Sequence, residues 1–276
     1  MTAGGSGSRR PTWVGTVLYV PLLYGGGWLA SRPLAMVRPP WRGDQVDLAG
    51  AVLALVLLLF TLPVRLRRAW GIDQPWRQLG LVAPAPAVLR ALIRGLLKAL
   101  LLLGLVSIVL LTTGSARWAG VLSGGAAANA LVLGAGVGFA EELLFRGWLQ
   151  GELGSHLGAN RALTVQAVMF ALVHPWYRLP VAGAAGLLGG LVLLGLALAL
   201  QRRADGGVLW GAVGLHGGLV GGWFLLQSGL LQLEPWTSPW LAGPGGSQPN
   251  PIGGAVGWLG LGALLWVRRR WWWRAA

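Results

Sequence analysis

Two adjacent glutamates, Glu141 and Glu142, end an uncharged run at residues 118–140, and Arg146 follows them. On an α-helix, Glu142 and Arg146 share a face, so their spacing predicts an ion pair. Glu141 is rotated by about 100° around the helix and is left unpaired. It is the candidate for chemistry, since a carboxylate can act as a general base on water. A structural interpretation stays open, in which the pair ends a helix at the membrane interface and Glu141 reaches toward water.

Two of the histidines lie in apolar surroundings. His174 comes four residues after Phe170, so the two rings share a helical face. Pro175 disfavours a helical conformation at His174, which is therefore predicted at or near a helix end or kink. His216 lies in GAVGLHGGLVGG, whose glycines allow other groups to approach closely. Either ring has an alternative role as a structural hydrogen bonder, whereas His156 lies in a polar connection and is expected to be solvated.

The composition predicts an all-α, polytopic integral membrane bundle. Of 276 residues, 55% are hydrophobic and 11% are charged, whereas soluble domains have about 25% charged residues. A helix needs roughly 20 mostly apolar residues to cross a bilayer. We predict about eight transmembrane helices, from the uncharged runs 48–64, 99–116, 118–140, 179–200 and 206–233 and from the weaker candidates 11–31, 159–177 and 251–267.

The net charge of +14 is distributed as expected for cytoplasmic loops. With both termini inside, the outer side holds only Arg32, Arg38, Arg42, Arg117 and Arg178. This imbalance follows the positive-inside rule for multi-pass membrane proteins. We therefore expect membrane lipids as partners, and no nucleic acid. The sequence has no cysteine, which excludes Cys-ligated zinc and thiol nucleophiles.

The predicted spans bring three of these side chains to one depth. Glu141 and His216 lie roughly 15 Å from the ends of their spans, and His174 lies about 20 Å in, at a rise of about 1.5 Å per residue. These depths meet near the middle of a hydrocarbon layer of roughly 30 Å. The sequence therefore predicts a shared site.

The pattern Glu-Glu-x-x-x-Arg, then Phe-x-x-x-His, then a later His resembles the CPBP (CAAX protease and bacteriocin-processing) family of intramembrane proteases. This family, often labelled Abi, is related to the type II CAAX prenyl endopeptidases. The resemblance covers about 125–267 and implies a helical membrane endopeptidase, with a peptide or protein substrate as its partner. It further implies that Glu141 is the general base, assisted by His174 and His216, and that Glu142 and Arg146 complete the first motif.

The third motif departs from the family's pattern. The family has Asn or Asp four residues after the last histidine, where this chain has Val220. The family's Asn is implied to help stabilise the oxyanion, and losing such a donor costs about 10²–10³ in rate. Asn250 is the candidate replacement, or alternatively a turn residue before Pro251. The departure keeps open a catalytically silent binding or immunity protein of the same fold.

Metal dependence also stays open, because the family is traditionally described as metal-dependent. Glu141, His174 and His216 are candidate ligands for a divalent ion such as Zn²⁺, with water in the fourth position. A metal-free glutamate mechanism fits at least as well, since a metal on Glu141 would leave no unpaired carboxylate as base. A third interpretation is a proton-coupled transporter that uses these residues as a relay.

The expected organisation is one membrane domain with short tails. We expect a multi-pass integral membrane protein with cytoplasmic N- and C-termini. The expected segments are a disordered basic tail at 1–10, N-terminal transmembrane helices at 11–124, a CPBP-type catalytic core at 125–267 and a basic, aromatic interfacial tail at 268–276.

Overall fold

A computed structural model describes residues 11–246 and 248–273. The chain divides into two compact units, residues 1–78 and 79–276. The first unit contains helices α1 (Trp13–Ser31), α2 (Gly43–Trp70) and α3 (Pro75–Gln78) and a 3-10 turn at Arg32–Met36. Helices α1 and α2 pack closely at Gly27, where a Cβ atom would lie 2.8 Å from the backbone nitrogen of Ala54.

The second unit consists of helices joined by short turns and one pair of strands. Its α-helices are α4 (Ala85–Thr112), α5 (Gly124–Glu142), α6 (Gln150–Leu157), α7 (Ala159–Leu172), α8 (Val181–Ala204), α9 (Trp210–Leu225), α10 (Pro239–Ala242) and α11 (Ala255–Arg268). Strands β1 (Ala116–Trp118) and β2 (Leu231–Leu233) pair antiparallel. Two π-helical turns, Leu143–Leu149 and Leu226–Leu230, and 3-10 turns at Trp176–Arg178, Pro251–Gly253 and Arg269–Trp271 complete it.

Helix α9 is packed between α4 and α5. On the α4 side, a Cβ atom on Gly95 would lie 2.7 Å from the backbone nitrogen of Leu215. On the α5 side, a Cβ atom on Gly138 would lie 2.8 Å from the Cα of Gly217. Small residues at such contacts let helix backbones approach each other in a membrane. The glycines thereby bring His216 of α9 against the C-terminal end of α5.

Helices α7 and α8 form a second close contact. A Cβ atom on Gly195 would lie 2.8 Å from the Cβ of Ala167. The buried Gln166 side chain donates to the carbonyl of Gly195 at 3.2 Å. This contact fixes the part of α7 that precedes Phe170. The Phe170 side chain is fully buried.

The almost entirely helical architecture predicted from the sequence is confirmed, but the number of spans is not. Within the described residues, four helices are long and apolar enough to cross a membrane: Gly43–Trp70, Ala85–Thr112, Gly124–Leu157 and Val181–Ala204. The predicted count of about eight is therefore not confirmed.

The uncharged run 206–233 is not a single helix. It contains α9, the second π-helical turn and β2, because Gly229 leaves the helical conformation with a φ of 149°. Leu231 then pairs with Trp118 of β1. The run 118–140 likewise begins with the end of β1, and α5 starts only at Gly124.

The predicted tails are described only in part. The tail at 1–10 lies outside the described residues, as do residues 274–276 of the interfacial tail. The part of that tail which the structure describes begins at the last residue of α11 and continues through the 3-10 turn Arg269–Trp271. The predicted boundary between N-terminal helices and catalytic core stays a prediction.

Candidate active site

Glu142 is the buried member of the glutamate pair. It is the last residue of α5, and Arg146 lies in the π-helical turn that follows. Arg146 Nη1 donates to Glu142 Oε1 at 2.7 Å, and both side chains are fully buried. The ion pair predicted from the four-residue spacing is therefore confirmed. It provides the compensating charge that a carboxylate needs in an apolar interior.

His216 donates a second bond to the same carboxylate. Its Nδ1 lies 2.8 Å from Glu142 Oε1, and its side chain is almost completely buried. A neutral imidazole that donates from Nδ1 has an acceptor at Nε2. Because an ionised carboxylate only accepts hydrogen bonds, the Nδ1 of His216 carries the proton. The Nε2 of His216 can then accept a hydrogen bond from another group.

His174 is oriented by the main chain of its own helix. It lies two residues beyond the end of α7, as Pro175 predicts, and its Nδ1 donates to the carbonyl of Phe170 at 2.7 Å. A carbonyl oxygen only accepts, so a neutral His174 also has its acceptor at Nε2. The backbone thus fixes both the position and the tautomer of this ring.

Glu141 lies where the two free ring nitrogens converge. Its Oε2 is 3.8 Å from His216 Nε2 and 3.9 Å from His174 Nε2. The Glu141 side chain is 31% exposed, whereas that of Glu142 is 0% exposed. Oε2 is itself buried and accepts no hydrogen bond from the described residues. The structure therefore brings together the three side chains that the predicted depths place at one level.

Phe170 is the central apolar group of the site. Its ring centroid lies 4.8 Å from that of His174 and 5.7 Å from that of His216. The guanidinium carbon of Arg146 lies 4.2 Å from the same centroid, within cation–π range. Phe145 packs edge-on against Phe170 at 5.1 Å. One buried ring thus contacts both histidines and the arginine, and it fixes their relative positions.

Arg202 is a site-supporting residue that the sequence analysis missed. It lies near the end of α8, where its Nη1 donates to the main-chain carbonyl of Arg146. Its Nε donates to the carbonyl of Gly207 at 3.1 Å. The sequence shows the pair Arg202–Arg203 at the end of an apolar run. That signal indicates a helix end but not a contact with residues far away in the chain.

The remaining predicted residues lie in other settings. His156 is half-buried near the end of α6. Val220 is half-buried on α9, one turn after His216, so it occupies the face on which the family has a polar side chain. Asn250 accepts a hydrogen bond from the backbone nitrogen of Ile252 at 3.2 Å and caps a 3-10 turn. Its predicted oxyanion role stays a prediction.

The described residues do not provide a recognisable metal site. Within residues 11–246 and 248–273, no group of three or more His, Cys, Asp or Glu side chains is arranged to hold a metal ion. Glu142 cannot supplement the set, because its Oε1 already accepts from Arg146 and His216. We therefore derive no reaction step through a metal ion.

Comparisons with known families match two segments of the chain. Residues 123–221 match the family described as type II CAAX prenyl endopeptidase Rce1-like, a range that contains all three motifs but not Asn250, the candidate replacement. Residues 1–74 match a domain of unknown function, DUF8676. No curated protein and no solved structure matched the chain.

The matched range confirms the resemblance to the CPBP proteases. Residues 123–221 are therefore similar to this peptidase family, and this similarity supports CAAX protease-like endopeptidase activity in general. Together with the apolar helices, it supports an integral membrane protein.

Proposed function

We propose that the protein is an intramembrane endopeptidase that hydrolyses peptide bonds of membrane-associated or leader-type peptides. The observation that carries the proposal is the convergence of two histidine Nε2 atoms on Glu141 Oε2, at 3.8 and 3.9 Å. Glu142 is already bonded to Arg146 and His216. One carboxylate is therefore left to act on a substrate water.

In the proposed reaction, Glu141 is the general base. It accepts a proton from water while the water oxygen forms a bond to the carbonyl carbon of the substrate. The carbonyl electron pair moves to the carbonyl oxygen, which becomes the oxyanion. When this intermediate collapses, the carbon–nitrogen bond breaks and Glu141 returns its proton to the leaving nitrogen. The products are a carboxylic acid and an amine, and the base is regenerated.

The two histidines orient the water and bind the oxyanion. Since both Nδ1 atoms donate to fixed acceptors, only the Nε2 atoms face Glu141. A neutral ring accepts a hydrogen bond from the attacking water at Nε2, and a protonated ring donates one to the oxyanion. His174 and His216 therefore assist without taking over the role of base.

A catalytically silent binding or immunity protein of the same fold is the second candidate. The observation that favours it is that the side chain one helical turn after His216 is the apolar Val220. A hydrolase lacking one oxyanion donor would be slower by about 10²–10³, and a binding protein would not need that donor.

The proposal is tested by incubating the purified full chain in lipid vesicles with a set of membrane-associated peptides. We expect the wild-type protein to cleave at least one peptide. The Glu141→Gln variant should not cleave any of them at a rate close to that of the wild type. Because the proposed mechanism uses no metal, cleavage should continue in the presence of a chelator such as EDTA. Loss of cleavage with the chelator, restored by zinc, would contradict the metal-free mechanism. Absence of cleavage of every peptide by the wild type would favour the binding protein.

We also propose that both termini are cytoplasmic, as the distribution of Lys and Arg indicates. Reporter fusions to either end should then be active only on the cytoplasmic side. Reporters that place the two ends on opposite sides would contradict this topology.

A further inference from the structure

A second polar cluster lies at the turn between α8 and α9. Asp205, the first residue after α8, accepts a hydrogen bond from Arg94 Nη2 at 2.6 Å and another from Gln201 Nε2 at 2.6 Å. The Asp205 side chain is fully buried, whereas that of Arg94 is 49% exposed. Arg94 therefore neutralises a buried carboxylate and still reaches the protein surface.

The cluster holds more positive than negative charge. Lys98 of α4 and Arg268 of α11 lie within electrostatic range of Asp205, together with Arg94. Lys98 donates to the carbonyl of Arg94, and Arg268 donates to Gln201 at 3.5 Å. Within the described residues, neither Lys98 nor Arg268 has a carboxylate at ion-pair distance, and the Nε of Arg268 is buried without a hydrogen bond. Three cations therefore surround one carboxylate.

Exposed apolar side chains flank these three cations. Leu97 and Leu101 of α4 and Trp266 and Val267 of α11 are each more than half exposed. Helix α4 is long and apolar enough to cross a membrane, so such side chains are expected to contact lipid. Cations at this position are costly unless they are paired or reach the headgroup layer. The surplus charge thus requires an anion, and the apolar rim indicates that this anion belongs to a lipid.

We propose that Arg94, Lys98 and Arg268 bind the phosphate of an anionic phospholipid whose acyl chains lie along Leu97 and Trp266. The three cations, which we call the α4–α11 cationic cluster, come from two helices. Basic pockets between helices near the cytoplasmic surface commonly bind anionic headgroups. A free phosphate ion would use the same cations but would make no use of the apolar rim.

Lipid binding at this cluster also affects the candidate active site. The turn that contains Asp205 begins just after Arg202, which donates to the carbonyl of Arg146 and to that of Gly207. The same turn leads into α9, which carries His216. A headgroup that fixes the positions of Arg94 and Asp205 therefore also fixes Arg202, which supports the Glu142–Arg146 pair. This consequence for activity rests on the proposed function, whereas binding of the lipid does not.

The test measures lipid binding directly. The purified full chain in a neutral detergent is titrated with short-chain phosphatidylglycerol, with phosphatidylcholine of the same chain length, and with inorganic phosphate. Bound lipid is counted by native mass spectrometry, and thermal unfolding is recorded in parallel. Phosphatidylglycerol should bind tightly and raise Tm, and phosphatidylcholine and free phosphate should do neither.

Substitutions locate the site. Each missing cation should weaken phosphatidylglycerol binding about fivefold, so Lys98→Gln should bind about fivefold more weakly and Lys98→Gln/Arg268→Gln about twenty-five-fold more weakly. Arg161→Gln removes an exposed cation on α7 outside the cluster and should bind as the wild type does. Equal binding of both lipids, unchanged binding by the double variant, or an equal effect of inorganic phosphate would overturn the proposal.

An activity measurement separates this inference from the proposed function. In vesicles, peptide cleavage should be faster with phosphatidylglycerol than without it, and the double variant should lose this difference. Phosphatidylglycerol binding without any cleavage would overturn the peptidase while supporting the lipid site. Cleavage that is independent of phosphatidylglycerol, together with no selective binding, would overturn the lipid site while supporting the peptidase.

Discussion

The Glu142–Arg146 pair and the Arg94–Asp205 pair both contain a fully buried carboxylate, but their arginines differ. Arg146 is completely enclosed, whereas Arg94 is half-exposed. Within the part of the chain that the structure describes, Glu141 lies beside the first pair, faces two histidines and has no cationic partner besides them. In the same part of the chain, Lys98 of α4 and Arg268 of α11 lie beside the second pair without a carboxylate at ion-pair distance. Both clusters contain an arginine–carboxylate pair. The charged group next to the pair is a carboxylate in the first cluster, whereas in the second cluster the neighbouring charged groups are cations.

This difference indicates how each cluster acts. A carboxylate left over beside basic rings can take a proton from water, which is the requirement of a hydrolase. Cations left over beside apolar surface can hold an anionic headgroup, which is the requirement of a lipid site. In the roles proposed above, the paired carboxylate is held in place in each cluster, and the ligand is contacted by Glu141 and the two histidines in the first cluster and by Arg94, Lys98 and Arg268 in the second.

The largest effect on stability should follow the removal of Arg146. Arg146→Met leaves Glu142 buried without its cation, and breaking a buried pair costs about 3–5 kcal/mol. Thermal unfolding in detergent should therefore show a much lower Tm. The double variant Glu142→Gln/Arg146→Met removes both charges and should recover part of the loss. Equal Tm values for Arg146→Met and the wild type would show that the pair does not stabilise the active-site cluster.

A smaller effect is expected when a polar group is added next to His216. Val220→Asn restores the side chain that the family has one helical turn after this histidine. If the site hydrolyses peptides, an extra oxyanion donor should raise the cleavage rate by about tenfold, less than the 10²–10³ lost when an established donor is removed. Val220→Leu is the matched control and should not raise the rate. A lower rate for Val220→Asn would indicate that the position does not face the oxyanion.

The smallest effect should follow removal of Arg94. Asp205 keeps its hydrogen bond from Gln201 and remains within range of Lys98 and Arg268. Because Asp205 keeps these partners and Arg94 is half-exposed, Arg94→Met should cost less than the roughly 3–5 kcal/mol expected for Arg146→Met. The same unfolding assay should place its Tm well above that of Arg146→Met. A loss as large as that of Arg146→Met would mean that the two clusters are equally dependent on their arginines.

Local spacing predicted the parts of the site that lie within one helix. Glu142 and Arg146 are four residues apart, and this spacing alone places them on a common face. Phe170 and His174 are related in the same way, and Pro175 marks the end of their helix. The composition likewise indicated a helical membrane protein, because few of its residues are charged.

Contacts between distant segments could not be predicted in this way. The hydrogen bond from His216 to Glu142 depends on the close approach of two helix backbones at Gly138 and Gly217. Nothing in the sequence distinguishes these two glycines from the many others. The Arg94–Asp205 pair joins residues that lie 111 positions apart. Strand β2 was hidden in an apolar run, because hydrophobicity alone does not show where a helix ends.

The central claim is that Glu141 acts on the substrate while Glu142 holds the site together. It is tested most directly by single-turnover cleavage and thermal unfolding of Glu141→Gln, with Glu142→Gln as the matched control. Glu141→Gln should unfold at the wild-type temperature and cleave about 10²–10⁴-fold more slowly, since it lacks only the base. Glu142→Gln should instead unfold at a clearly lower temperature. Wild-type cleavage by a folded Glu141→Gln protein would contradict the account.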